Sequence, residues 1–202
     1  MRSFTFLNLL LITIIGCSPI GREIREYREE YKQEFLKDPK SPLKEEDLHN
    51  LDFYPPNAKA RVTASFKKTP EADPFELPTY SGQTKKYRKW GVATFPWGDT
   101  IVTLSLYENL KLVHEPEYED YLFLPFKDET NSEETYGGGR YLNMSKSDTE
   151  DGEIKIDFNK CYNPWCAYSD GFNCPIPPRE NNLPFEVKAG EKNYKGYTAV
   201  GH

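Results

Sequence analysis

From Arg22 to Leu36 the apolar residues Ile24, Tyr27, Tyr31 and Phe35 recur at steps of three and four, and charged residues fill nearly every position between them. That spacing predicts one amphipathic helix with a narrow apolar stripe, its charge run a solvated face. Pro39 and Pro42 stop it, and Leu43, Leu48 and Leu51 predict a second short helix over Lys44 to Leu51. After Pro55-Pro56 the period becomes two: Val62, Ala64 and Phe66 alternate with Arg61, Thr63 and Ser65, the signature of a half-buried strand. Further strands are predicted at Lys86 to Phe95, Thr100 to Tyr107, Tyr121 to Phe126, Arg140 to Met144, Glu153 to Phe158 and Phe185 to Ala189. Pro96-Trp97-Gly98-Asp99 reads as a hairpin turn, and Asp151-Gly152, ending a polar loop from Ser145, as a second. Spacing this short leaves no room for βαβ crossovers. The expected fold class is therefore mainly β: an antiparallel small barrel or two-layer roll with one or two N-terminal α-helices packed outside.

The first residues follow a different rule. Met1-Arg2-Ser3 precedes an apolar run from Phe4 to Ile15, interrupted only by Thr5, Asn8 and Thr13, and Gly16-Cys17-Ser18 follows. One cation and about a dozen mostly apolar residues are short for a membrane span and suit the core of a signal peptide. Ile14-Ile15-Gly16-Cys17 resembles the bacterial lipobox, in which the cysteine is lipidated and becomes the first residue of the mature chain. The expected organisation is a lipoprotein signal peptide over 1–16, a lipidated Cys17 with a short tether over 17–21, and one globular domain over 22–202. The acyl chains on Cys17 then make the lipid bilayer a partner. Ser18, rather than Asp, after the cysteine resembles the Gram-negative sorting signal for the outer membrane. The expected localisation is membrane-anchored, outside the cytoplasm.

Charge narrows the partners. Across 202 residues there are 26 Lys+Arg against 32 Asp+Glu, a formal charge of -6, and no long basic cluster, so nucleic acid is not an expected partner. With 14 Tyr, 12 Phe and 3 Trp the chain has enough bulky apolar surface to build a core without depending on disulfides.

The densest text lies between Leu122 and Glu191. It contains Pro125-Phe126-Lys127-Asp128, Thr135-Tyr136-Gly137-Gly138-Gly139-Arg140-Tyr141, Asp157-Phe158-Asn159, Asn163-Pro164-Trp165-Cys166-Ala167-Tyr168, Cys174-Pro175-Ile176-Pro177-Pro178 and Ala189-Gly190-Glu191-Lys192. These six segments, in this order, resemble those of the bacterial domain-of-unknown-function family 1684, over roughly Leu43 to Tyr194. The resemblance implies no established activity. Two departures stand out: Cys161 replaces the Ala usual in the family, and Gly138 extends the glycines to three.

Within these segments the residues themselves suggest several chemistries. The glycine run lacks the Lys-Ser/Thr of a phosphate loop and reads as a bend entering a strand. Arg140, at the start of one strand, and Asp157, on another, are expected to face each other, as a buried pair or as a clamp for an anionic group. Cys161, Cys166 and Cys174 are too few and too poorly spaced for a structural zinc site, and no metal or cofactor is expected. Cys166 and Cys174 both lie in family segments, and in an exported protein that implies a disulfide between them, with Cys161 free and buried. A thiolate nucleophile at Cys166 needs a neighbouring His, and His49, His114 and His202 all lie outside the motifs. Pro164, Pro175, Pro177 and Pro178 forbid regular ladders, so Asn159, Asn163 and Asn181 are expected to hold an ordered loop of about thirty residues across one end of the barrel.

Three functional readings follow. In the first, Tyr136, Arg140, Tyr162 and Tyr168, with Asp157, Asn159, Asn163 and Asn181, surround a pocket for a small polar ligand such as a glycan or peptide fragment. In the second, a hydrolase uses Asp157 or Glu191 as general base and Arg140 to stabilise negative charge. In the third, the same residues only satisfy buried backbone in a structural lipoprotein without a pocket.

Overall fold

The computed structural model describes residues 18–149 and 151–196. The expected signal peptide and Cys17 lie outside the described residues. Helix α1 (Pro19–Lys37) starts where Ser18 Oγ accepts from the N–H of Gly21 at 3.2 Å, with a proline in the first turn, where a missing N–H costs nothing. It buries Gly21, Ile24, Tyr31 and Phe35 and exposes its charged face. It begins inside the segment expected to be a tether. The second expected helix is a 3-10 turn over Glu45–Asn50.

Seven antiparallel strands follow: β1 (Arg61–Lys68), β2 (Phe75–Pro78), β3 (Thr84–Trp97), β4 (Thr100–Asn109), β5 (Tyr121–Phe126), β6 (Arg140–Ser145) and β7 (Glu153–Asp157). Their order is β6-β5-β4-β3-β1-β7, with β2 continuing on the β1 side of β3. β3 serves both: Gly91 to Thr94 pair with β1, Thr84 to Tyr87 pair with β2, and the register against β4 shifts between Lys89 and Gly91. Gly98-Asp99 is the two-residue turn between β3 and β4, since Trp97 pairs with Thr100. The expected mainly β, antiparallel class is what the chain adopts, as a sheet curled into a half-barrel.

Two expectations are corrected. Asp151-Gly152 does not close a hairpin, because β6 and β7 are the two ends of the sheet order. The Gly152 carbonyl instead accepts from the N–H of Phe66 at 2.7 Å and delivers β7 onto β1. Phe185 to Ala189 is not a strand. It crosses the inner face of the half-barrel, where Leu183, Val187 and Ala189 join Phe95, Leu104, Leu124, Ile156 and Phe158 in the main core.

The opposite face carries a second cluster, Leu77, Tyr87, Tyr107, Phe123 and Tyr141, and a third joins Tyr31 and Phe35 of α1 to Leu43, Leu51, Ala167 and Tyr168. The last bend before β6 needs glycine. Gly139 has φ +89°, and a Cβ there would stand 2.6 Å from the carbonyl oxygen of Phe126. That approach brings Arg140 into the core.

Candidate functional site

Arg140 and Asp157 do not face each other. Asp157 lies opposite Arg61 across the β1–β7 ladder and accepts from its Nη2 at 2.7 Å; Arg61 also reaches Glu23 of α1 at 2.8 Å. The other Asp157 oxygen receives the N–H and the side-chain amide of Asn159, whose amide in turn exchanges bonds with the backbone of Asn57. This is a cross-strand pair with a capped turn behind it.

Arg140 is wholly buried, and its partner is Asp128, 2.7 Å from Nη2. Nη2 also donates to the carbonyl of Val187, and Nη1 to those of Ala189 and Glu191, at 2.9, 2.6 and 3.2 Å. Asp128 accepts from the N–H of Val187 and from Thr130. One ion pair thus takes over most of the hydrogen bonds that a neighbouring strand would have given to residues 187–191, whose one bridge is that of Glu191 to Phe53, which is why the segment lies in the core without joining a ladder.

Glu191 is equally buried, but among the described residues no cation pairs with its carboxylate. Oε1 accepts from Tyr168 Oη at 2.7 Å; Oε2 accepts from Tyr31 Oη at 3.0 Å and from the N–H of Asn163 at 2.9 Å. Burial raises its pKa to about 7, against the pull of those three donors. The Asn163 amide donates to the carbonyl of Lys192. Tyr168, Asn163 and Glu191, three residues singled out in the sequence, therefore meet, together with Tyr31, which the stripe of α1 offered only as core. They meet in the buried interior, with no cavity around the carboxylate itself among the described residues.

Asn181 sits apart, inside the β4–β5 ladder, where it bonds Ser105 and Pro125. Tyr136 is half-buried, its ring edge-on to Tyr80 with centroids 6.5 Å apart. Cys166 and Cys174 form a disulfide, with Cα atoms 6.3 Å apart. Cys161 is free and buried, and burial pushes its thiol up to about 11. Among the described residues no His, Cys, Asp and Glu cluster could hold a metal ion.

The open chemistry lies around Tyr162. Its backbone pairs with Tyr141 through bonds of 2.9 and 3.0 Å, extending the sheet by one residue beyond β6. Its hydroxyl and that of Tyr121 both donate to Oδ1 of the exposed Asn143, at 2.5 and 3.1 Å. A cavity of about 320 Å³ opens on one side, walled by Tyr87, Tyr121, Tyr162, Trp165 and Phe172, with Lys85, Asn109 and Asn173 as its polar groups. A second, of about 360 Å³, opens on the other side against Tyr27, Tyr31 and Phe35 of α1. Trp165 belongs to both; it stands immediately before the disulfide-closed loop and is held edge-on to Phe172 within that loop at 5.1 Å. Of the residues expected to line a pocket, Tyr162 does so and Asp157 lines a separate cavity near Arg61 and Asn143; Arg140, Asn159, Asn163, Tyr168 and Asn181 are buried. Asn143, Tyr121 and Trp165 were not singled out. Their signal is structural, since only the fold brings β5, β6 and the disulfide loop to one place.

The model for the family described as Protein of unknown function (DUF1684) matches residues 46–192. The chain belongs to this family. The DUF1684 span takes in all seven strands, Asp128, Arg140, the disulfide, and Glu191 with its partners Asn163 and Tyr168, but begins after α1 and Tyr31. A solved structure similar to this chain is the solution NMR structure of an uncharacterized protein from gene locus rrnAC0354 of Haloarcula marismortui. It is 31% identical, with a TM-score of 0.66, and the likeness covers 85% of this chain and 92% of that one. No curated protein matches the sequence.

Proposed function

We propose that this DUF1684 protein is an exported lipoprotein, held at a membrane by an acylated Cys17, that binds a small polar ligand in the cleft around Tyr162. The anchor reading rests on the sequence alone, on the apolar run ending in Ile14-Ile15-Gly16-Cys17. Because α1 begins at Pro19, an acyl group on Cys17 would hold the folded domain close to the bilayer surface. Outer-membrane sorting is part of the same proposal and rests on Ser18.

The observation that carries the binding reading is the Tyr121–Asn143–Tyr162 arrangement between two open cavities. Ligand sites are concave, largely apolar and aromatic, with a few placed polar groups, and both cavities fall within the usual range of about 300–1,000 Å³. The hydrolase reading has less support: Arg140 and Glu191 are closed off from solvent, and Asp157 is bound to Arg61 and Asn159.

Saturation-transfer NMR with a panel of free sugars, amino acids and nucleosides tests the cleft. The expected result is binding by one chemical class, lost in Trp165→Ala and in Asn143→Ala but kept in Glu186→Ala, on the exposed surface. Binding by none of them, or binding untouched by both cleft variants, would overturn the reading. Intact-mass analysis of membrane-extracted protein tests the anchor, which fails if Cys17 carries no acyl group.

A further inference from the structure

The two cavities beside Tyr162 are parts of a longer groove. A third cavity, of about 510 Å³, shares Tyr27, Glu34 and Asn143 with the second, just as the second shares Tyr162 and Trp165 with the first. Together they trace a path between α1 and the β6 edge, from the disulfide loop to Arg61 and Lys155 on β1 and β7. We propose that this groove binds a linear, uncharged oligosaccharide, its sugar rings laid in succession on the aromatic stretch and past Asn143. The proposal rests on the binding reading above and names the ligand class.

Three observations select that class. First, charge argues against an anion. The middle cavity carries Glu34 and Asp38 and no Lys or Arg, so a phosphate or carboxylate passing through it meets like charge. The aromatic cavity has Lys85 as its one cation, and burial, with Lys111 nearby, lowers that lysine's pKa. In the third cavity Arg61 and Lys160 are taken by Glu23 and Asp157, and Lys155 stands among four carboxylates, Glu23, Glu34, Asp148 and Asp157. Second, the aromatic surface is supplied as separate partly exposed rings lining the cavities, Tyr121, Tyr162 and Trp165, the kind of surface on which the C–H side of a pyranose packs. Beside them Asn143 is fixed by two phenol hydroxyls on Oδ1, and among the described residues its Nδ2 has no partner, leaving two N–H donors for ring hydroxyls. Third, the backbone argues against an extended peptide. A peptide adding to the sheet here needs the free edge of β6, but at the disulfide end Tyr162 already exchanges both hydrogen bonds with Tyr141, so a strand could add only beyond that residue and not along the aromatic stretch. A sugar chain needs no ladder.

Continuity of the groove makes length the test. The probes are chitotetraose, maltotetraose and cellotetraose, the corresponding monosaccharides, and tetra-alanine, each titrated into the ¹⁵N-labelled protein and followed at the Trp165 indole N–H and at the amides of Asn143 and Lys155. The expected result is that one tetrasaccharide shifts all three signals and binds roughly tenfold or more tighter than its monosaccharide. Trp165→Ala should weaken it about as much, while Glu186→Ala leaves it unchanged. Equal affinity for monomer and tetramer, or shifts confined to Trp165, would overturn the groove and leave a compact sugar pocket standing. Shifts with tetra-alanine and with no sugar would overturn the ligand class while keeping the cleft. Silence from every sugar and from tetra-alanine would overturn the inference outright, and the small-molecule panel then decides whether the cleft itself survives.

Discussion

The side chain of Asn181 supplies the hydrogen bond that Pro125 lacks. On β5, Pro125 stands across from Ser105 of β4 but has no N–H to donate, and the regular pairing of the two strands is confined to Tyr107 and Phe123. Asn181 Oδ1 accepts from the Ser105 N–H at 2.8 Å, and its Nδ2 donates to the carbonyls of Ser105 and Pro125 at 2.9 and 2.7 Å. An amide side chain acts here as one unit of backbone. This explains how a proline is tolerated inside the sheet, and why Pro125 and Asn181, far apart in sequence, depend on each other.

Asn181→Leu should therefore be severely destabilising. It leaves one N–H and two carbonyls unpaired in the core, at about 1–3 kcal/mol for each group left unsatisfied. Thermal unfolding should show a large drop in Tm, whereas Asn182→Ala, at the exposed neighbour, should leave Tm nearly unchanged.

Glu191 makes stability depend on pH in a particular direction. Its pKa is raised from an ordinary 4.5 to about 7, so between these values the folded chain holds more protons than the unfolded one, and stability falls as pH rises. The contribution is complete below about pH 4.5 and lost as pH passes 7, an amount of about 3 kcal/mol. Urea unfolding at pH 5 and at pH 8 should show the parent losing stability over that interval relative to Glu191→Gln. Parallel pH profiles for the two proteins would show that the carboxyl is not held as described.

The disulfide should be visible chemically. Under denaturing, non-reducing conditions an alkylating reagent should label Cys161 and spare Cys166 and Cys174. Reduction should cost about 2–3 kcal/mol, the order expected for closing a short loop. It should also loosen Trp165 and Phe172, so the indole signal of Trp165 should broaden. Labelling of all three thiols would contradict the pairing.

Much of the fold was legible because alternation is local. Tyr121 to Phe126 and Arg140 to Met144 read as strands and are strands, and the stripe of α1 is where Ile24, Tyr31 and Phe35 predict it. β2 was missed because Phe75–Pro78 is four residues long, bounded by prolines, and pairs only at one end of β3. Phe185 to Ala189 misled for a different reason: Val187 and Ala189 are buried as strand residues would be, but side chains of Arg140 and Asp128 satisfy their backbone. The site was less legible. Strand position pairs Arg140 with Asp157, although Asp128 lies in the Pro125–Asp128 segment, because no periodicity reports which loop carboxylate folds back onto a strand. Asn143, exposed, has no motif of its own, and Trp165, half-buried, lies in a segment whose neighbours point to the disulfide; they become a site only where α1, β6 and the disulfide loop meet.

The central claim is that Asp128, Arg140 and Glu191 of the family segments are a buried frame, with Arg140 and Asp128 standing in for a missing strand. A double-mutant cycle by equilibrium urea unfolding tests it most directly, with Arg140→Met, Asp128→Leu and the double variant. Each single change should cost about 3–5 kcal/mol, because it leaves the other charge buried and uncompensated. The double variant, with neither charge left, should cost clearly less than the two losses added together. If instead Arg140→Met unfolds at the same urea concentration as the parent, or the two losses simply add, then Arg140 and Asp128 are not the frame of residues 187–191.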